Sequence, residues 1–321
     1  MALSSSVVAF AVVALHAQAV GSVRPQECGA IEGSQSGNVW ERAKTPELRK
    51  YCDLLASGAS KLAGMQTRGA VAAVASEVIA IANEADTLVP KHSAPAVLRG
   101  RAYARLGRWL EAYKEMNEAR IRDPRALDDP VALLTWARVT VRAGHADEGD
   151  IAYRMLLPRA AMLPLAERGP AYVEAGFVAM SRGPAGLDEA ISVFRQARRD
   201  AQDTAQAVAI LGLALALDRM GAREEARAVL LERQLVNPWP TLSDARARQL
   251  LVGPGAERET DALAAIALEV SDPAKAKASW QKYAETAGSS PWMAHARTRA
   301  HEPVKRVPGW NVEKTAEKKP R

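Results

Sequence analysis

The chain has few of the residues that build sheets, metal clusters and membrane spans. Of its 321 residues only three are phenylalanine and two are cysteine, and β-branched runs are rare beyond the first twenty positions. That scarcity argues against a sheet protein, and two cysteines cannot staple a disulfide-rich scaffold. The five histidines, His16, His92, His145, His295 and His301, are scattered, and no pair has a zinc-ligand spacing with a third ligand in reach. His295 and His301 are six residues apart, which puts them on different faces of one helix. Neither the Cys-x-x-Cys-His run of a haem site nor the Gly-x-x-x-x-Gly-Lys loop of a nucleotide site occurs. Carboxylate pairs such as Asp128 with Asp129 and Glu224 with Glu225 stand at helix starts, where they oppose the helix dipole. The sequence therefore predicts a protein that is not an enzyme and needs no cofactor or metal.

Charge of one sign is also in short supply. The formal net charge is +6, and half of it comes from the last 21 residues, where Lys305, Arg306, Lys314, Lys318, Lys319 and Arg321 face three glutamates. No domain-wide basic field follows, so nucleic acid is not the expected partner.

Long apolar runs are missing as well. The N-terminal "MALSSSVVAFAVVALHAQAV" has one short run, Val7 to Leu15, followed by Ala17-Gln18-Ala19. Nine apolar residues are too few for a bilayer, which needs about 20. The small-x-small end predicts a signal peptide over residues 1–19, and hence an exported protein, periplasmic or extracellular, with no transmembrane segment in the mature chain. In an oxidising compartment the two cysteines, Cys28 and Cys52, favour a disulfide, with two separate buried thiols as the alternative.

What is abundant is alanine, leucine, arginine and glutamate, the composition of helices. A helix-turn-helix punctuation returns four times between Ser93 and Trp239. In the clearest copy, "LRGRAYARLGRWLEAYKEMNEARIRDP", Gly100 and Tyr103 lie on a first helix, Gly107 at the turn, Ala112 and Ala119 on a second helix, and Pro124 after its end. The next copies carry Trp136-Ala137, Gly144, Gly149 and Tyr153, then Gly176, Ala190, Phe194 and Ala197, then Leu213-Ala214, Gly221, Ala226, Leu230 and Pro238. A fifth begins near Thr260, with Ala276, Trp280 and Tyr283 on its second helix, and Ser290 to Ala300 reads as a capping helix.

The small residues let paired helices approach, the turn glycines stop one helix, and the prolines end the next. These positions resemble the tetratricopeptide repeat, of period 34. The resemblance implies an all-α fold, an α-solenoid of antiparallel helix hairpins over residues 93–300. Residues 20–92 form a helical extension before it, with a helix started by Thr45 and Pro46, and residues 301–321 a basic flexible tail. Trp40, Trp109, Trp136 and Trp280 sit at helical positions as core wedges, and of the remaining tryptophans Trp292 and Trp310, close to the end, are expected at the surface.

In tetratricopeptide arrays the first helix of each hairpin lines a concave groove where partner segments bind. By position, that groove presents Arg101 and Arg105 in the first copy and Arg138 and Arg142 in the second, each pair four residues apart and so on one helix face. The third copy places Phe177 and Ser181 there, the fourth Leu215 and Arg219, so the groove passes from cationic to apolar. Such a surface suits an acidic peptide segment or a C-terminal carboxylate, which arginine grips through two hydrogen bonds. Alternatively the arginines pair with acids on neighbouring helices, such as Glu111, Glu115 or Glu174. The resemblance thus implies a non-catalytic scaffold or assembly factor for protein-protein interaction in a bacterial cell envelope. The competing reading is a cytoplasmic helical-repeat protein that binds nucleic acid through the cationic stripe.

Overall fold

Fifteen helices occur among the residues that the computed structural model describes, namely Cys28, 39–64, 68–286 and 288–302. Among these residues there is no strand. The helices are α1 (Val39–Ala63), α2 (Arg68–Leu88), α3 (Ala94–Arg105), α4 (Trp109–Arg122), α5 (Pro130–Arg142), α6 (Ala146–Leu156), α7 (Leu165–Ser181) and α8 (Leu187–Asp200). They continue with α9 (Asp203–Met220), α10 (Arg223–Glu232), α11 (Trp239–Leu242), α12 (Ala245–Leu250), α13 (Ala256–Ser271), α14 (Pro273–Thr286) and α15 (Met293–His301). The signal peptide expected over 1–19 and residues 303–321 of the tail lie outside the described residues.

The helix ends follow the local chemistry of the sequence. Gly107, Gly144 and Gly221 turn the chain between paired helices with φ of 72, 94 and 91°, values that cost an L side chain strain. Asp129 opens α5: its carboxylate accepts from the Ala132 N–H at 2.9 Å, and Pro130 takes the first helical position. Pro46 departs from expectation. It lies inside α1, which begins at Val39 rather than at Thr45, so the helix runs through the one hydrogen bond that proline cannot donate.

Each helix from α1 to α9 packs on its successor, and α13 on α14 and α14 on α15 do so again. Helices two apart also touch, α1 with α3, α3 with α5, and α7 with α9, and α9 meets α13 across the intervening helices. Between α5 and α7 the 3-10 turn Leu157–Met162 is wedged against α5, α6 and α7. The buried apolar residues accordingly form three successive clusters along the chain rather than one central core.

Close helix approach depends on the small residues. A methyl group at Gly100 would come within 2.6 Å of Met116, which is fully buried. The Phe194 ring sits between two glycines, since a Cβ at Gly176 on α7 or at Gly212 on α9 would each lie 2.6 Å from it. Arg99 is buried and joins three helices by pairing with Glu115 at 2.7 Å and Asp86 at 3.1 Å.

Both ends of the array are fastened. Cys28 and Cys52 form a disulfide across 24 residues, which attaches the segment preceding α1 to that helix. By chain entropy such a loop is worth roughly 3 kcal/mol. At the other end, buried Arg299 on α15 pairs with Glu269 on α13, with Asp218 on α9 and with Glu302. Glu302 also takes both guanidinium nitrogens of Arg223, at 2.7 and 3.0 Å, so the folded part extends into the expected tail. Trp292, expected at the surface, is buried, and its indole N–H donates to the Met180 carbonyl at 3.0 Å.

One tract does not continue the pairing. After α10 the chain leaves the succession, lays α11 and α12 on α9, brings α12 against α7, and only then begins α13. This fold-back, residues 233–255, closes one side of the site described next.

Candidate functional site

A cavity of about 1620 Å³ opens between the ends of α3 and α5, the first turns of α7 and α9, and the fold-back. Arg101 and Arg105 enter it from α3, and Arg138 and Arg142 from α5. The helical spacing alone accounts for this, because residues four apart share a face and α3 packs beside α5.

The four arginines are not equivalent. Arg138 is engaged: its Nε donates to both oxygens of Glu174, the closer at 2.8 Å, and a terminal nitrogen meets Glu167 at 2.8 Å. Glu174 is only 2% exposed and also accepts from the Tyr153 hydroxyl at 3.0 Å. Burial alone would weaken the Arg138 charge, but Glu174 and Glu167 more than reverse this and hold its pKa above the ordinary arginine value. Arg138 thus joins α5 to α7. Arg142 is partly engaged, donating to the Gln249 carbonyl of the fold-back at 2.7 Å while its guanidinium lies 4.8 Å from the Trp109 ring centre.

Arg101 and Arg105 differ from both, for among the described residues neither has a hydrogen-bond or ion-pair partner. Burial lowers the Arg101 pKa, the Asp129 carboxylate partly restores it, and the adjacent Arg105 lowers it further. An arginine so placed remains charged at neutral pH, and its guanidinium donors are unused among the described residues.

Phe177 and Arg219 do not line the cavity. Phe177 is buried edge-on against Phe194, with ring centres 5.1 Å apart. Arg219 is buried in an ion pair with Glu259 at 2.8 Å, with its guanidinium 4.7 Å from the Trp292 ring centre. The chain packs over this face: α12 lies on α7 and α9, Gly253 passes beside Ser181 and Val178, and Arg219 is covered by α13 and by Trp292. The chain itself covers the face that the repeat spacing would leave as the apolar half of a groove.

Repeat spacing also misses residues that are present. Arg246 and Arg248 on α12 reach the cavity wall, exposed and with side chains that have no hydrogen-bond or ion-pair partner among the described residues. The only sequence signal for them is negative: residues 240–259 fit no copy of the repeat. No known family model matches the chain, and no curated protein is detectably similar to it. Among the described residues no group of three histidine, cysteine or carboxylate side chains is placed to hold a metal, and no helix is long and apolar enough to cross a membrane.

The site also sets a pH dependence. Arg138 holds the Glu167 carboxyl below its ordinary value of 4.5. A carboxyl depressed by folding contributes stability above its unfolded pKa and loses it as pH falls through the folded one. The urea midpoint is expected to drop as pH is lowered below about 4.5, and Glu167→Gln should remove part of that drop. An identical acid limb in Glu167→Gln would assign the dependence to other carboxylates.

Proposed function

We propose that the chain is an exported, non-catalytic helical-repeat protein, a solenoid of tetratricopeptide-like hairpins, that captures a segment of a partner protein in this cavity. In this reading it acts as a scaffold or assembly factor in a bacterial cell envelope. The observation that carries it is the pair Arg101 and Arg105, two cations in a large cavity with no hydrogen-bond or ion-pair partner among the described residues. A volume of about 1620 Å³ exceeds the roughly 300–1,000 Å³ of small-ligand sites and suits a stretch of polypeptide. The consecutive packing of helix pairs supports the repeat reading, and the Cys28–Cys52 disulfide is compatible with an oxidising compartment.

The test is a crosslinking pull-down from the native envelope with wild type and with Arg101→Glu combined with Arg105→Glu. Among the described residues neither arginine has an ion pair to break, so the double variant should keep its helical circular-dichroism signal and lose partner capture. Unaltered capture would sink the proposal.

A further inference from the structure

Building on the capture of a partner segment, we infer that the fold-back is one wall of the binding site, and that the occupant is a peptide segment with acidic side chains at two separated points. One point is met by Arg101 and Arg105 on α3, the other by Arg246 and Arg248 on α12.

Both arginine pairs line the same cavity, come from elements far apart in the chain, and lack side-chain partners among the described residues. Asp244 stands beside the second pair: its carboxylate accepts from the Arg246 backbone N–H at 2.8 Å and the Thr204 hydroxyl at 3.0 Å, and these bonds, with the charges of Arg246 and Arg248, hold its pKa below the ordinary value. Four guanidinium groups with no hydrogen bond or ion pair among the described residues face one compartment, and an occupant carrying carboxylates can take up their unused donors. The wall is held in place where Arg142 grips the Gln249 carbonyl, so the second pair is presented from a positioned element.

The remaining lining narrows the occupant. Glu167, Asp200 and Asp203 also reach the cavity. A uniformly charged polyanion such as a nucleic acid would meet these carboxylates, whereas a peptide with separated acidic points can place its neutral residues there. Leu134 and Leu165 supply apolar lining, and Leu165 is 64% exposed. Pro170 deprives the Ala166 carbonyl of its helical donor, and both residues line the cavity, so a peptide N–H has an acceptor there. An extended peptide provides such donors along its length and a nucleic acid backbone does not.

The experiment uses fluorescence anisotropy of a labelled, C-terminally amidated octapeptide, Glu-Glu-Ala-Leu-Ala-Leu-Glu-Glu, with the full chain at physiological salt. Saturable binding is expected. It should weaken about tenfold in Arg101→Gln with Arg105→Gln and about tenfold in Arg246→Gln with Arg248→Gln, with circular dichroism unchanged. A peptide with only one glutamate pair should bind about as weakly as the full peptide binds either variant. Wild-type affinity in the Arg246/Arg248 variant would overturn the two-point site and leave partner capture through α3 standing. Absence of peptide binding, or equal binding of a single-stranded oligonucleotide of the same charge, would overturn the acidic-peptide assignment, whatever the pull-down shows.

Discussion

Arg138→Ala is expected to lower the stability of the folded chain by about 3–5 kcal/mol, read as a shift of the urea midpoint. The variant leaves Glu174 buried with only the Tyr153 hydroxyl as donor and releases Glu167 from its cation. Removing one member of a buried pair costs far more than the pair is worth, because the other charge stays desolvated. Replacing Arg138 and Glu174 together by leucine should recover most of the loss, since that substitution removes the stranded charge. A midpoint within experimental error of wild type for Arg138→Ala would mean that Glu174 is solvated in solution. Charge reversal at Arg138 is for the same reason a poor test of ligand binding: lost capture would report a damaged fold.

Phe194→Ala should cost about 3–5 kcal/mol, with the upper end of that range favoured by the surroundings. The ring packs between Gly176 and Gly212, which have no side chains to swing into the vacancy. The clearer signature is non-additivity. In the wild type, Gly176→Ala brings a methyl within 2.6 Å of the ring and should destabilise by about 1–3 kcal/mol. In the Phe194→Ala background the same methyl enters the vacated space, and alanine is the better helix former by about 1 kcal/mol, so the change should stabilise. Equal effects of Gly176→Ala in both backgrounds would show that α7 and α9 separate freely around the ring.

Much of this was legible in the residues because it is governed by short-range rules. The helix turns at Gly107, Gly144 and Gly221 are set by backbone conformation at single positions, and each is found with positive φ. The face shared by Arg101 and Arg105, and by Arg138 and Arg142, follows from helical spacing, and all four reach one cavity. The Cys28–Cys52 bond is the one pairing that two cysteines within a single chain allow. Pro46 resisted the same logic, since a helix-start signal competes with the tendency of flanking residues to continue the helix, and here continuation prevails.

By itself, then, the sequence determined the all-helical class, the places where helices stop, and which arginines share a face, because each depends on residues within a few turns of one another. Only the tertiary structure decided which arginines are available. Arg138 meets Glu174, Arg219 meets Glu259, and Phe177 is covered, while Arg246 and Arg248 arrive at the cavity from a tract outside the repeat pattern. Those outcomes depend on contacts between helices that are not neighbours in sequence, and no periodicity encodes a contact such as that of Arg142 with the Gln249 carbonyl, made between residues 107 apart in the chain.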